Sequence, residues 1–220
     1  MKEVDGASLL EHGWSYYNQG KYDLAVKELQ ESIELLSDTS LAHYRLGFCY
    51  RALGKHEDAI QEFRLAEKNR PQDAWYQFQI GKELGLKGQY RKALAEFALS
   101  IKKNPRFPDA YHDAGACLAT MGYFELSVVC YTVCSFLCEL ANSQNVYTAV
   151  SLDQFMRSTN SLKQILGAKR YGEIQAEVFS KLGMKFYPIV EDAVDLEGFD
   201  VLAGEIIPAL HSISNANESV

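Results

Sequence analysis

A 34-residue internal repeat constrains this chain more than any other feature of its sequence. Glycine recurs at that interval in two registers that lie seven residues apart. The first register is Gly13, Gly47, Gly81 and Gly115, and the second is Gly20, Gly54, Gly88 and Gly122. A fixed period of roughly 20 to 50 residues is typical of proteins that stack one small structural unit several times. The chain is therefore predicted to repeat such a unit over residues 6–141.

Other positions of the repeat indicate what the unit is. A small residue recurs at Ala25, Ala59, Ala93 and Ser127, and a large one follows four residues later at Leu29, Phe63, Phe97 and Tyr131. This spacing places both on one helix face, where the small side chain lets a second helix approach and the large one fills the space beside it. The second glycine of each unit suits the left-handed end of a helix. Each unit is predicted to be helix A, a short turn and helix B.

These glycines, alanines and aromatics, with Pro71 and Pro105 closing two of the units, resemble the tetratricopeptide repeat family. The resemblance covers four units, at residues 6–39, 40–73, 74–107 and 108–141. It implies an all-α fold, a right-handed α-α solenoid of four helix pairs. Residues 142–213 lack the repeat and are predicted to form a helical C-terminal cap, in which Pro208 should kink or divide the last helix. Residues 214–220 are predicted to be a flexible tail.

Composition limits the classes of function and the cellular compartments that are expected for this protein. The formal charge of −7, without a clustered basic face, argues against nucleic acid as a partner. No apolar run reaches the roughly 18 residues of a membrane helix, and the N-terminus lacks an export signal, so we expect a cytoplasmic protein without membrane insertion. The odd number of cysteines, five, favours a reducing compartment. Cys130, Cys134 and Cys138 share a helix face and are interpreted as small core residues, so neither a metal nor a cofactor is expected.

Catalytic motifs give no support to an enzyme. The sequence contains no GxSxG, HExxH, phosphate loop or Gly-rich dinucleotide turn, and its histidines form no ligand-spaced pair. We therefore predict no catalytic residue and no enzymatic activity. An enzyme with a site in residues 142–220 stays open as an alternative.

The resemblance instead implies a peptide-binding groove on the concave face, lined by the A helices. Aromatic and arginine side chains, which are enriched in binding hot spots, are frequent at the positions that face this groove. An apolar peptide with an acidic group is expected to suit it, although aromatic residues at such positions also serve packing alone. The predicted groove residues are Trp14, Tyr17, Asn18, Tyr44, Arg45, Phe48, Arg51, Trp75, Phe78, Gln79, Lys82, Asp109 and His112.

The predicted function is that of a scaffold or adaptor that binds an extended or helical segment of another protein, as a subunit of a larger complex. A dedicated chaperone for an apolar segment of a secreted protein or assembly subunit is the alternative. The carboxylate clamp for Hsp70 and Hsp90 tails is not expected, because Trp14, Arg45 and Trp75 stand at its defining positions. As a further hypothesis, the acidic segment 189–200 of the chain itself occupies or borders the groove.

Overall fold

The computed structural model describes residues 5–143, 152–181 and 196–216. These ranges hold eleven helices and no strand, so the fold is all-α, as predicted. The chain divides into two compact units, Met1–Gly88 and Gln89–Val220, called here unit one and unit two. The division falls within the third predicted repeat, between its two helices. None of the described helices is long and apolar enough to cross a membrane.

Unit one contains two helical hairpins and a fifth helix. Its helices are α1 (Gly6–Asn18), α2 (Tyr22–Leu35), α3 (Ser40–Ala52), α4 (His56–Asn69) and α5 (Ala74–Leu86). From α1 to α5, each helix packs against the next one in the chain. The turns within the hairpins pass through Gly20 and Gly54, whose φ angles of 74° and 71° lie in the left-handed region that favours glycine.

The first glycine register is explained by close helix contact. A Cβ atom added at Gly47 would lie 2.5 Å from Cε1 of Phe63, and one added at Gly13 would lie 2.7 Å from Cγ of Leu29. Phe63 and Leu29 are the large repeat residues, and both are fully buried. Helix A therefore needs glycine where the large side chain of helix B crosses it.

Unit two contains six helices. They are α6 (Tyr90–Lys103), α7 (Pro108–Thr120), α8 (Phe124–Ser143), α9 (Leu152–Leu166), α10 (Ala168–Lys181) and α11 (Leu196–Asn215). The strongly apolar α8 packs against α7, α9 and α10, which explains why it has almost no polar face. The last helix, α11, packs against α6, where the Arg91 guanidinium donates to the carbonyl oxygen of Ile213. Helix α11 continues through the exposed Pro208, so of the two predicted effects, a kink or a division, the division does not occur.

Both units have cores built from the repeat positions. In unit one, Ala25, Leu29 and Leu46 belong to one buried cluster, and in unit two Tyr131 packs with Leu162 of the cap region. The cysteines are part of this packing, because Cys49, Cys117, Cys130 and Cys134 are buried. Burial raises the pKa of the Cys49, Cys117 and Cys130 thiols to about 12. Thiols in this state are poor nucleophiles and poor metal ligands at neutral pH.

Candidate functional site

Four aromatic side chains of α1 and α3 form a continuous surface, called here the aromatic surface. They are Trp14, Tyr17, Tyr44 and Phe48, and each is partly exposed. The Trp14 and Tyr17 rings stack in parallel with centroids 4.6 Å apart, and the Phe48 ring stands edge-on to Tyr44 at 4.8 Å and to Trp14 at 6.3 Å. Their spacing along α1 and α3 places them on adjoining helix faces. Asn18, another predicted groove residue, is exposed at the end of α1.

The two predicted groove arginines are paired inside unit one. Arg45 Nη1 donates to the Leu10 carbonyl oxygen at 2.8 Å and to Glu11 Oε1 at 2.9 Å, and its guanidinium lies 5.2 Å from the Trp14 ring. Arg51 Nε donates to Glu83, and its Nη2 donates to Gln79 Oε1 at 2.7 Å. The chain's own carboxylates therefore neutralise both guanidiniums. The expected preference for an acidic peptide finds no support in this arrangement.

Glu83 of α5 joins three elements of unit one. Its side chain is fully buried and accepts a hydrogen bond from Arg51. Its Oε2 lies 2.8 Å from Nδ1 of His56. A buried carboxylate is tolerated when cationic and hydrogen-bonding groups surround it. Sequence reasoning missed Glu83, although a signal was present. Glu83 stands at the repeat position of Cys49, and His56 stands at the position of Tyr22, so two departures from the repeat contact each other.

Trp75 connects α5 to the aromatic surface. Its indole Nε1 donates to the Tyr44 hydroxyl at 2.7 Å, and Trp75 itself is partly exposed. Burial is the main reason that the pKa of Tyr44 is raised, and the bond from Trp75 acts against that shift. The predicted groove thus extends from α1 and α3 to the first turn of α5.

Further along α5, the structure differs from the predicted exposed groove. Phe78 and Gln79 are each only 2% exposed, so they are not surface residues of this structure. Lys82 is partly exposed, and its Nζ lies 5.3 Å from the Phe78 ring centroid. Helix periodicity placed all three side chains on the outward face, but Gln79 accepts a hydrogen bond from Arg51 of α3.

Asp109 and His112 belong to α7 of unit two, and both are buried, at 7% and 2% exposure. His112 Nδ1 lies 2.9 Å from Asp113 Oδ1, and its ring is edge-on to Tyr131 with centroids 5.4 Å apart. His112 Nε2 has no hydrogen-bond partner among the described residues. Both predicted groove residues are thus buried, and their part in peptide binding stays a prediction. Of the segment 189–200, residues 189–195 lie outside the described residues.

A pocket of about 200 Å³ opens beside the aromatic surface of unit one. It lies between the first turns of α3 and α5, and its lining residues are Leu41, Tyr44, Arg70, Asp73, Trp75 and Tyr76. Asp73 Oδ1 accepts from the Trp75 backbone N–H at 2.9 Å and so caps α5. Arg70, Asp73 and Tyr76 were not among the predicted site residues. Over the part of the chain that the structure describes, no group of three or more metal-ligating side chains is present.

Comparison with known proteins agrees with the repeat pattern. The tetratricopeptide repeat family profile matches residues 10–74. Comparison with curated protein sequences found no match.

Solved structures extend the likeness beyond that segment. MamA is 16% identical with a TM-score of 0.61, over 84% of this chain and 97% of MamA. A second MamA structure, from Desulfovibrio magneticus RS-1, is 18% identical with a TM-score of 0.54, over 64% of this chain and 77% of that one. YrrB, a TPR protein with an unusual peptide-binding site, is 16% identical with a TM-score of 0.55, over 96% of this chain and 90% of YrrB. At such identities the likeness concerns the fold. Residues 10–74 thus match the tetratricopeptide repeat family by sequence, and over most of its length the chain has a fold similar to that of tetratricopeptide repeat proteins.

Proposed function

We propose that this protein is a scaffold or adaptor that binds an extended or helical segment of another protein on the aromatic surface of unit one. The observation that carries the proposal is the contact between Trp14, Tyr17, Tyr44 and Phe48, all partly exposed on neighbouring helices. Large aromatic side chains supply most of the energy in many protein interfaces. A surface of this kind suits the apolar side chains of a peptide.

The arginines support this role by holding the rings in place. Arg45 lies over Trp14, and Arg51 lies 4.9 Å from Phe48 and 5.3 Å from Phe63. Because each guanidinium is also bonded to a carboxylate or backbone oxygen, the rings are fixed before a partner arrives. Rings that are already ordered lose less conformational entropy on binding. The proposed ligand is therefore an apolar segment that needs no acidic group.

Comparison with YrrB adds support of a general kind, since that protein shares the fold and has a peptide-binding site. Binding without catalysis is part of the proposal. A cytoplasmic location is also part of it, and the five free thiols are in keeping with a reducing compartment.

A peptide display library, selected against the whole protein, tests the proposal. We expect Trp14→Ala to weaken the selected peptides at least tenfold, as measured by calorimetry, because it removes the ring stacked on Tyr17. Leu24→Ala is the matched control. Leu24 is an exposed apolar residue on α2 of the same hairpin, 49% exposed, and its removal should leave affinity unchanged.

Two results would contradict the proposal. One is equal affinity of Trp14→Ala and the unmodified protein for every selected peptide. The other is an equal loss in Leu24→Ala, which would place binding on a general apolar surface. Thermal unfolding of both variants shows whether the fold is retained.

A further inference from the structure

We propose that the pocket between the first turns of α3 and α5 binds a cationic side chain, lysine or arginine, of the partner segment. This inference rests on the proposed function and adds the chemical class of one ligand side chain. It concerns unit one alone. The supporting features are the aromatic walls of the pocket, the pairing of its charged groups and its position next to the aromatic surface.

Three of the six lining residues are aromatic. The Tyr44 and Tyr76 rings are 6.1 Å apart with an angle of 79° between their planes, and Trp75 is bonded to the Tyr44 hydroxyl. Tyrosine and tryptophan rings attract cations through the negative potential of their faces, and tryptophan is the strongest of the aromatic residues in this respect. Trp75 and Tyr44 are partly exposed whereas Tyr76 is buried, so the first two rings are the ones that can contact a bound cation.

The charged groups of the pocket favour a cation as well. Arg70 Nη2 lies 3.5 Å from Asp38 Oδ2, so Arg70 already has a carboxylate partner. Asp73 forms no ion pair with any residue that the structure describes, and its Oδ1 accepts only a neutral backbone N–H. Of the ionised groups that line the pocket, Asp73 is thus the one without a partner of opposite charge.

The phenol of Tyr76 responds to the same charges. Burial is the largest cause that raises the pKa of Tyr76, and the Asp73 carboxylate is the next. The Arg70 guanidinium acts in the opposite direction with a smaller effect. For this phenol the Asp73 carboxylate thus has a larger effect than the Arg70 guanidinium.

The N-terminus of α5 opposes this preference in part. Its unpaired N–H groups carry a partial positive charge, and Asp73 offsets that charge as the capping residue. The carboxylate contributes less than a full charge to a ligand for this reason. Most of the preference for a cation is then expected from the Trp75 and Tyr44 rings, with Asp73 increasing it.

The test uses blocked peptides in which glycines flank one central residue. The central residue is trimethyl-lysine, its neutral tert-butyl isostere, lysine or glutamate. Binding to the whole protein is followed by NMR through the indole N–H signal of Trp75, which Trp75→Phe identifies. We expect trimethyl-lysine to bind about five- to tenfold more tightly than the isostere, because the two differ in charge and hardly in shape.

Asp73→Asn separates charge from structure. Asparagine caps a helix about as well as aspartate, so the variant keeps the acceptor for the Trp75 N–H and loses the charge. We expect a severalfold weaker affinity for trimethyl-lysine and an unchanged affinity for the isostere. Glu34→Gln is the matched control, since it removes the same charge from an exposed residue of α2 that does not line the pocket.

Equal binding of the cationic and neutral peptides would overturn the inference. Tighter binding of glutamate would overturn it too, and would make Arg70 the recognising group. If Glu34→Gln weakened the affinity for trimethyl-lysine as much as Asp73→Asn does, the effect would come from the net charge of the protein and not from the pocket. Failure here is distinguishable from failure of the proposed function. If the selected library peptides still bind more weakly to Trp14→Ala, only the assignment of the pocket is wrong. If they do not, the proposed binding to the aromatic surface is wrong as well.

Discussion

The hairpins α3–α4 and α7–α8 occupy equivalent places in the repeat but present different surfaces. In α3, Tyr44 and Phe48 are partly exposed and belong to the aromatic surface. Their equivalents in α7 are the buried His112 and the small Ala116. Within unit two, α7 contacts α9 in addition to its neighbours α6 and α8. Equivalent repeat positions therefore have the same packing role where the two helices of a hairpin meet. Whether the outer face of helix A is exposed depends instead on which other helices it contacts.

Substituting the first-register glycine should show the largest difference between the hairpins. We expect Gly47→Ala to lower the free energy of unfolding by about 2 kcal/mol, since the new Cβ would overlap the buried Phe63 ring. At Gly115 the nearest atom, Cε1 of Tyr131, is 3.2 Å away, which requires only a small shift. Alanine also has the better helix propensity, by about 1 kcal/mol. Gly115→Ala is therefore expected to change stability by less than about 1 kcal/mol.

Chemical denaturation of both variants measures this difference. If Gly115→Ala destabilised the protein as much as Gly47→Ala, the two helix crossings would be equally tight. The explanation from the Phe63 contact would then be wrong.

Removing a hydroxyl that only the α7–α8 hairpin has at this repeat position should have a smaller effect on stability. Ser127 Oγ donates to the Gly115 carbonyl oxygen at 2.7 Å, and both residues are buried. Its repeat equivalent in α4 is Ala59, which shows that the position accepts a bare methyl group. We expect Ser127→Ala to reduce the free energy of unfolding by about 1 kcal/mol, the usual value of one buried hydrogen bond.

Ser161→Ala is the control for this prediction. Ser161 Oγ donates to the Arg157 carbonyl oxygen at 3.2 Å on the exposed side of α9. Water can replace that bond, so its loss should change thermal stability very little. Equal effects of the two substitutions would argue against a contribution from the buried hydroxyl of Ser127.

The starts of α3 and α7 should differ in their response to acid, and this effect is the smallest of the three. Asp38 Oδ1 accepts from the Ser40 hydroxyl at 2.6 Å and from its backbone N–H at 2.9 Å, whereas α7 begins with Pro108 and without a side-chain cap. The Ser40 hydroxyl, followed by its N–H, lowers the pKa of Asp38 below 3.8. A carboxyl with a lowered folded pKa stabilises the protein above its unfolded pKa, and this contribution is lost as the pH falls through the folded pKa.

NMR titration of the Asp38 carboxyl carbon checks the direction of this shift. Asp38→Asn serves as the control, because it keeps an acceptor oxygen at the same place but cannot titrate. The difference in melting temperature between the two proteins should shrink as the pH falls below 4. A carboxyl that titrates at or above 3.8 would contradict the predicted shift.

The fold could be predicted from the sequence because the repeat reports local packing. Glycine, alanine and a large side chain at fixed spacing describe one helical hairpin, and the positive φ at Gly20, Gly54, Gly88 and Gly122 confirms the turn positions. Ala59 and Phe63 are fully buried, in agreement with their place in the repeat. The candidate site was predicted less well. Trp14, Tyr17, Tyr44 and Phe48 are partly exposed together, but Phe78, Gln79, Asp109 and His112 are buried.

Tertiary structure alone decided the state of the charged and buried groups. Arg45 pairs with Glu11, which is 34 residues away, and Arg51 pairs with Glu83, which is 32 residues away. The periodicity of a helix does not relate residues that lie so far apart. The pocket beside Trp75 likewise combines residues of α3, α5 and the turn before α5. A periodic pattern reports which face of a helix is apolar, since that face depends on residues three and four apart. Which outward face stays open, and which charge finds a partner, depends on contacts between residues far apart in the chain.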